Sequence, residues 1–161
     1  MSLILSSFER AVLDAFLAGD DPVLAQLRTQ ATVCTVAGRK HTGVGAFTDL
    51  AVPGSVQRVS PPALTFGDVD INVPGVESGQ TALLFVRDGA ICLLEFATYA
   101  GEWPLNPSAT RIGYLKYVPA TSGGYSLLTT MQRDPETLAI QLAGQEGAGA
   151  ASHLVANGGE G

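Results

Sequence analysis

The stretch TALLFVRDGAICLLEFATYAGEWP, residues 81–104, decides the fold. Two apolar runs flank Asp88-Gly89, a pair that readily supplies the positive φ angles of a two-residue type I′ hairpin turn. Pairing outward from that turn sets Arg87 opposite Ala90, Val86 opposite Ile91, Phe85 opposite Cys92, Leu84 opposite Leu93 and Ala82 opposite Glu95. In this register Glu95 shares a face with Leu84, Val86, Ile91 and Leu93. A carboxylate continuing an apolar face is a candidate general acid or base if buried, because desolvation raises its pKa. It is a solvated or arginine-paired rim residue if the sheet ends there. Beyond it, Tyr99 and Trp103 with Pro104 form an aromatic group that either anchors a binding surface or closes the core.

On the N-terminal side, Ser6 and Glu9 have capping-box spacing, and Phe8, Val12, Leu13, Phe16 and Leu17 follow at helical intervals until Gly19. Asp20-Asp21-Pro22 then starts a second helix carrying Val23, Leu24, Leu27 and Ala31. From Thr32 the pattern turns to β-branched residues and turn signals. Strands are expected near 32–38, 44–52, 65–73, 81–87, 90–99, 111–118 and 125–131. The class is α+β: a curved, mainly antiparallel sheet of six to seven strands with an N-terminal αα-hairpin packed on it. Asp134-Pro135-Glu136 opens a third helix reaching Leu142. Residues 1–143 read as a single domain and the Gly/Ala-rich residues 144–161 as a flexible tail.

Composition narrows the function classes. The 161 residues are 46% hydrophobic and 15% charged, the proportions of a globular chain. With 15 acidic and 9 basic residues the net charge is -6, and no basic run offers a footprint for nucleic acid. No apolar run is long enough to span a membrane. The start MSLILSSFERAV lacks a basic n-region and carries Glu9, so it does not read as a secretory signal and the expected location is cytoplasmic.

Cys34 and Cys92 lack CxxC spacing and read as reduced core residues. His41 and His153 make no ligand spacing with them, so neither a zinc site nor any other cofactor is expected. No serine sits in a nucleophile elbow. Thr42-Gly43-Val44-Gly45 is too short for a dinucleotide fingerprint, and its glycines suit a tight turn or bulge. Along 65–73, Val69, Ile71 and Val73 alternate with Asp68, Asp70 and Asn72. Three oxygen-bearing side chains on one strand face suggest a cation site, an acidic contact strip or a solvated outer face. Val73 and Gly79 stand where a calcium loop needs glycine and glutamate, which excludes that loop.

Several of these pieces, read together, resemble a family of small, uncharacterised bacterial proteins. They are Phe8-Glu9, Leu17-Ala18-Gly19-Asp20, Leu27-Arg28-Thr29-Gln30, Thr42-Gly43-Val44-Gly45-Ala46-Phe47-Thr48 and Phe66-Gly67-Asp68-Val69. The hairpin Leu84-Phe85-Val86-Arg87-Asp88-Gly89 and the run from Leu94-Glu95 through Tyr99 to Trp103-Pro104 complete the set. The likeness covers the first 104 residues and implies a recurring scaffold with no assigned activity. The residues after Leu105 depart from it.

The expectation is therefore a non-enzymatic interaction module, immunity- or inhibitor-like, that meets another protein through Asp68, Asp70, Tyr99 and Trp103. The alternatives are a small enzyme using Glu95, with Asp68 or Asp70, for acid-base chemistry, and a structural subunit forming a homo-oligomer through its tail.

Overall fold

The computed structural model describes residues 4–76 and 80–144. Helix α1 (Ser7–Phe16) starts at the capping box: the Ser6 hydroxyl accepts from the Glu9 N–H, and the Glu9 carboxylate accepts from the Ser6 N–H. Its apolar stripe Phe8, Val12, Leu13 and Phe16 is buried, each side chain contributing about 1.5–3 kcal/mol relative to exposure. Helix α2 (Pro22–Val33) is capped by Asp21, with proline in the first turn where no intrahelical N–H is required.

Eight strands follow: β1 (Thr35–His41), β2 (Gly45–Ala51), β3 (Leu64–Phe66), β4 (Val69–Asn72), β5 (Gln80–Arg87), β6 (Ala90–Thr98), β7 (Arg111–Pro119) and β8 (Tyr125–Thr130). Helix α3 (Pro135–Leu142), capped by Asp134, closes the described chain. The strands form two antiparallel sheets, of order β1-β2-β6-β5-β3 and β4-β7-β8. The α+β class and the αα-hairpin agree with the sequence reading; the single sheet of six to seven strands does not. The expected strand 65–73 is two strands in different sheets, broken at Gly67-Asp68. There the Gly67 N–H leaves the ladder to donate to Gln141 of α3 at 2.6 Å, and Asp68 turns inward to Arg133. The expected first strand starts later than 32, because α2 runs on to Val33. The tail expected at 144–161 lies, from residue 145, outside the described residues. No described helix is long and apolar enough to cross a membrane.

The 88–89 turn is as expected, with Asp88 at φ 53° and Gly89 at φ 76°. The register beyond it is not. Val86 pairs with Ile91, but Phe85 pairs with Leu93, leaving Cys92 as an extra residue in β6. This β-bulge reverses the inside/outside parity of everything downstream. Ala82, Leu84, Val86, Ile91, Leu94 and Phe96 thus line the core against α1 and α2. Gln30 of α2, fully buried, explains the local departure: it accepts from the Ile91 N–H and donates to the Gly89 and Gln57 carbonyls, acting as a strand partner where β2 has ended.

Candidate functional site

Because of the bulge, Glu95 lies on the outer face of the five-stranded sheet, a correction to the core-face placement read from the sequence. Its cross-strand neighbours are Phe47 on β2 and Leu83 on β5. One step along, Ala97 stands between Gly45 and Thr81; one step the other way, Leu93 stands between Asp49 and Phe85. Glu95 is therefore the centre of a three-strand grid whose other side chains are mostly apolar and half-buried. Helices α1 and α2 occupy the opposite face. Among the described residues the Glu95 carboxylate has no hydrogen-bond or ion-pair partner, and burial alone pushes its pKa up. Tyr99 extends the same face, its hydroxyl accepting from Thr81 Oγ1 at 2.9 Å, and is 48% exposed. Lys40, in register with Phe47 from β1, and Arg87, stacked 5.0 Å over the Phe85 ring, flank the face with positive charge.

A cleft lies on the helix side of the sheet, with Phe47 among its lining. It holds about 520 Å³ between the start of α1, strands β1 and β2, and the segment 103–107. Its polar floor is Glu9, which accepts from Arg39 Nη2 at 2.7 Å and from Thr48 Oγ1 at 2.5 Å as well as from Ser6. Burial raises the Glu9 pKa, but these donors outweigh it and hold the carboxyl at about 2. A carboxylate held that low is a fixed negative charge and a poor proton acceptor. His41 is committed as well, with Nε2 2.8 Å from the Trp103 carbonyl and Nδ1 accepting from the Gly43 N–H.

Trp103 closes the core. It is 2% exposed, stacked on Phe96 at 5.6 Å and beside Phe8 at 6.3 Å. Its backbone N–H donates to the Gly43 carbonyl and the Thr98 N–H to the Val44 carbonyl, both at 2.8 Å. The Thr42-Gly43-Val44-Gly45 run thus receives the Tyr99-to-Pro104 run. Gly43 turns with φ +88°, whereas Gly45 allows close approach: a Cβ there would stand 2.2 Å from the Phe96 carbonyl oxygen.

Asp68 and Asp70 do not share a surface. Asp68 is fully buried, both oxygens bonded to Arg133 at 2.8 Å, so it presents nothing to solvent. Asp70 is on β4, 2.5 Å from Arg111, with burial nonetheless pushing its carboxyl up. Neither joins Glu95, which is on the other sheet and outside the cleft lining. The three carboxylates proposed for acid-base work are not brought together. Of the four binding candidates, Tyr99 is on the exposed face, Trp103 lines the cleft from within the core, Asp70 belongs to the separate sheet and Asp68 is buried in the break that precedes it. Phe47 and Leu83, which frame Glu95, escape sequence reading because only the bulge brings Glu95 onto their face. No protein-family model matches the chain, and no curated protein and no solved structure matches it.

Proposed function

We propose that this protein is a non-enzymatic interaction module of the immunity or inhibitor type, which docks a protein partner on the outer face of β2, β6 and β5. The observation that carries this reading is Glu95, an unpartnered carboxylate at the centre of a half-buried apolar grid. Interfaces concentrate binding energy in such central positions, ringed by apolar contacts that exclude water. An arginine or lysine from the partner, set among apolar side chains, would meet Glu95 in a charge-assisted hydrogen bond. The net charge of -6 favours the encounter with a basic surface.

The test is affinity for the partner recovered from source cells, measured for wild type, Glu95→Gln and Glu95→Lys. A loss of about tenfold or more for Glu95→Gln and abolished binding for Glu95→Lys are expected. Equal affinity across the three proteins would overturn the proposal.

A further inference from the structure

Four strand edges bound the two sheets, and three carry a device against further pairing. The free edge of β1 has a register irregularity between Val36 and Gly38 and the charged pair Arg39-Lys40, and Arg39 also binds the Ile4 carbonyl. Strand β3 has only three residues, with α3 packed beside it and Gln141 taking the next N–H at Gly67. Strand β4 has four residues; past its end, the same edge of β7 is covered by α3, whose Thr137 hydroxyl accepts from the Tyr117 N–H. Among the described residues the outer edge of β8 has none of these. Its six residues, Tyr-Ser-Leu-Leu-Thr-Thr, include no charge and no proline, and no irregularity interrupts its pairing with β7. Leu127 is 39%, Leu128 55% and the following Met131 65% exposed.

We infer that β8 is the edge through which two copies of this chain pair, antiparallel, joining their three-stranded sheets across a two-fold axis. Self-pairing is the arrangement this strand fits, because an antiparallel two-fold sets the same strand against itself. A register centred on Leu128 opposes Leu128 to its counterpart, Leu127 to Thr129 and Ser126 to Thr130. Each pair is apolar or hydroxylic, and β-branched threonines suit cross-strand contacts. No acid is brought against an acid, although each copy carries net charge -6. Lys116, one strand inward from Leu128, is offset by Asp134 at 3.9 Å. The surface is separate from the Glu95 face, so both could be occupied together.

Light-scattering mass of the full chain across the micromolar range, with amide hydrogen exchange of β8, tests this. The inference expects a dimer mass, β8 amides that become protected as concentration rises, and a return to monomer mass in Leu128→Lys with unchanged circular dichroism. Lys40→Glu at the β1 edge should leave the dimer intact. A monomer at every concentration overturns the inference, including one whose β8 amides are protected by another part of its own chain. A dimer that survives Leu128→Lys with β8 amides unprotected overturns it too.

Discussion

Glu95 on β6 and Phe47 on β2 are directly opposed in register on the outer face of the sheet, and Leu83 opposes Glu95 from the other side. The carboxylate is thereby held between two apolar side chains with no counter-charge of its own.

That placement has a stability cost with a definite pH signature. A carboxyl whose folded pKa is raised binds protons more tightly in the folded state, so the folded state is favoured while the group is protonated. The advantage disappears as pH rises from the ordinary glutamate value of 4.5 through the folded one. Glu95→Gln should therefore be more stable than wild type at neutral pH and lose that margin on acidification. Glu95→Leu should gain about 0.5–1 kcal/mol at neutral pH through cross-strand contact with Phe47 and Leu83. Urea denaturation at several pH values reads both.

Glu9 has the opposite sign. Its folded pKa of about 2 lies below the ordinary 4.5, so its contribution is complete above 4.5 and is lost as pH falls toward 2. Glu9→Gln preserves a side-chain acceptor for the capping box but removes the charge facing Arg39. Arg39 is a third exposed, so solvent screens much of the loss, and a destabilisation of about 1–2 kcal/mol is expected at neutral pH. The difference from wild type should shrink between pH 4.5 and 2.

The Asp68–Arg133 pair should be the most sensitive polar contact. Arg133 also donates to the Phe16 and Ala18 carbonyls at the end of α1, and its guanidinium lies over Phe66 and Tyr114. Arg133→Met leaves the Asp68 carboxylate buried without its partner and strips the helix end, at a cost of about 3–5 kcal/mol. Thermal denaturation checks this, and a change below 1 kcal/mol would show that Asp68 finds another partner.

Gln30 offers a separate test of the hairpin. Gln30→Leu keeps the volume but orphans the Ile91 N–H and deprives the Gly89 and Gln57 carbonyls of a donor, a loss of about 2–3 kcal/mol. Amide exchange at Ile91 should rise more than at Leu84 or Leu94 deeper in the sheet.

The helices were legible in sequence because their signals are local: Ser6 with Glu9, Asp21 with Pro22 and Asp134 with Pro135 each mark a helix start without reference to the rest of the chain. The Asp88-Gly89 turn is local in the same way. What sequence could not reveal depends on distant partners. The bulge at Cys92 coincides with a hydrogen bond that the Ile91 N–H donates to Gln30, a residue some sixty positions away, and it alone moves Glu95 from the inner to the outer face. Likewise the break at Gly67-Asp68 is held by Arg133 and Gln141, so alternation across 65–73 suggested one strand where two sheets meet. Trp103 was readable as a core-closing residue from its size, but its docking on Gly43 was not.

The most direct test of the docking face is a photo-crosslinking amino acid at Leu83, beside Glu95, compared with one at Ala37 on β1, in otherwise wild-type and Glu95→Lys chains within source cells. The account predicts a crosslink to one partner from Leu83, none from Ala37, and its disappearance when Glu95 is reversed in charge. A Leu83 crosslink that persists in Glu95→Lys, or equal crosslinking from Ala37, would contradict it.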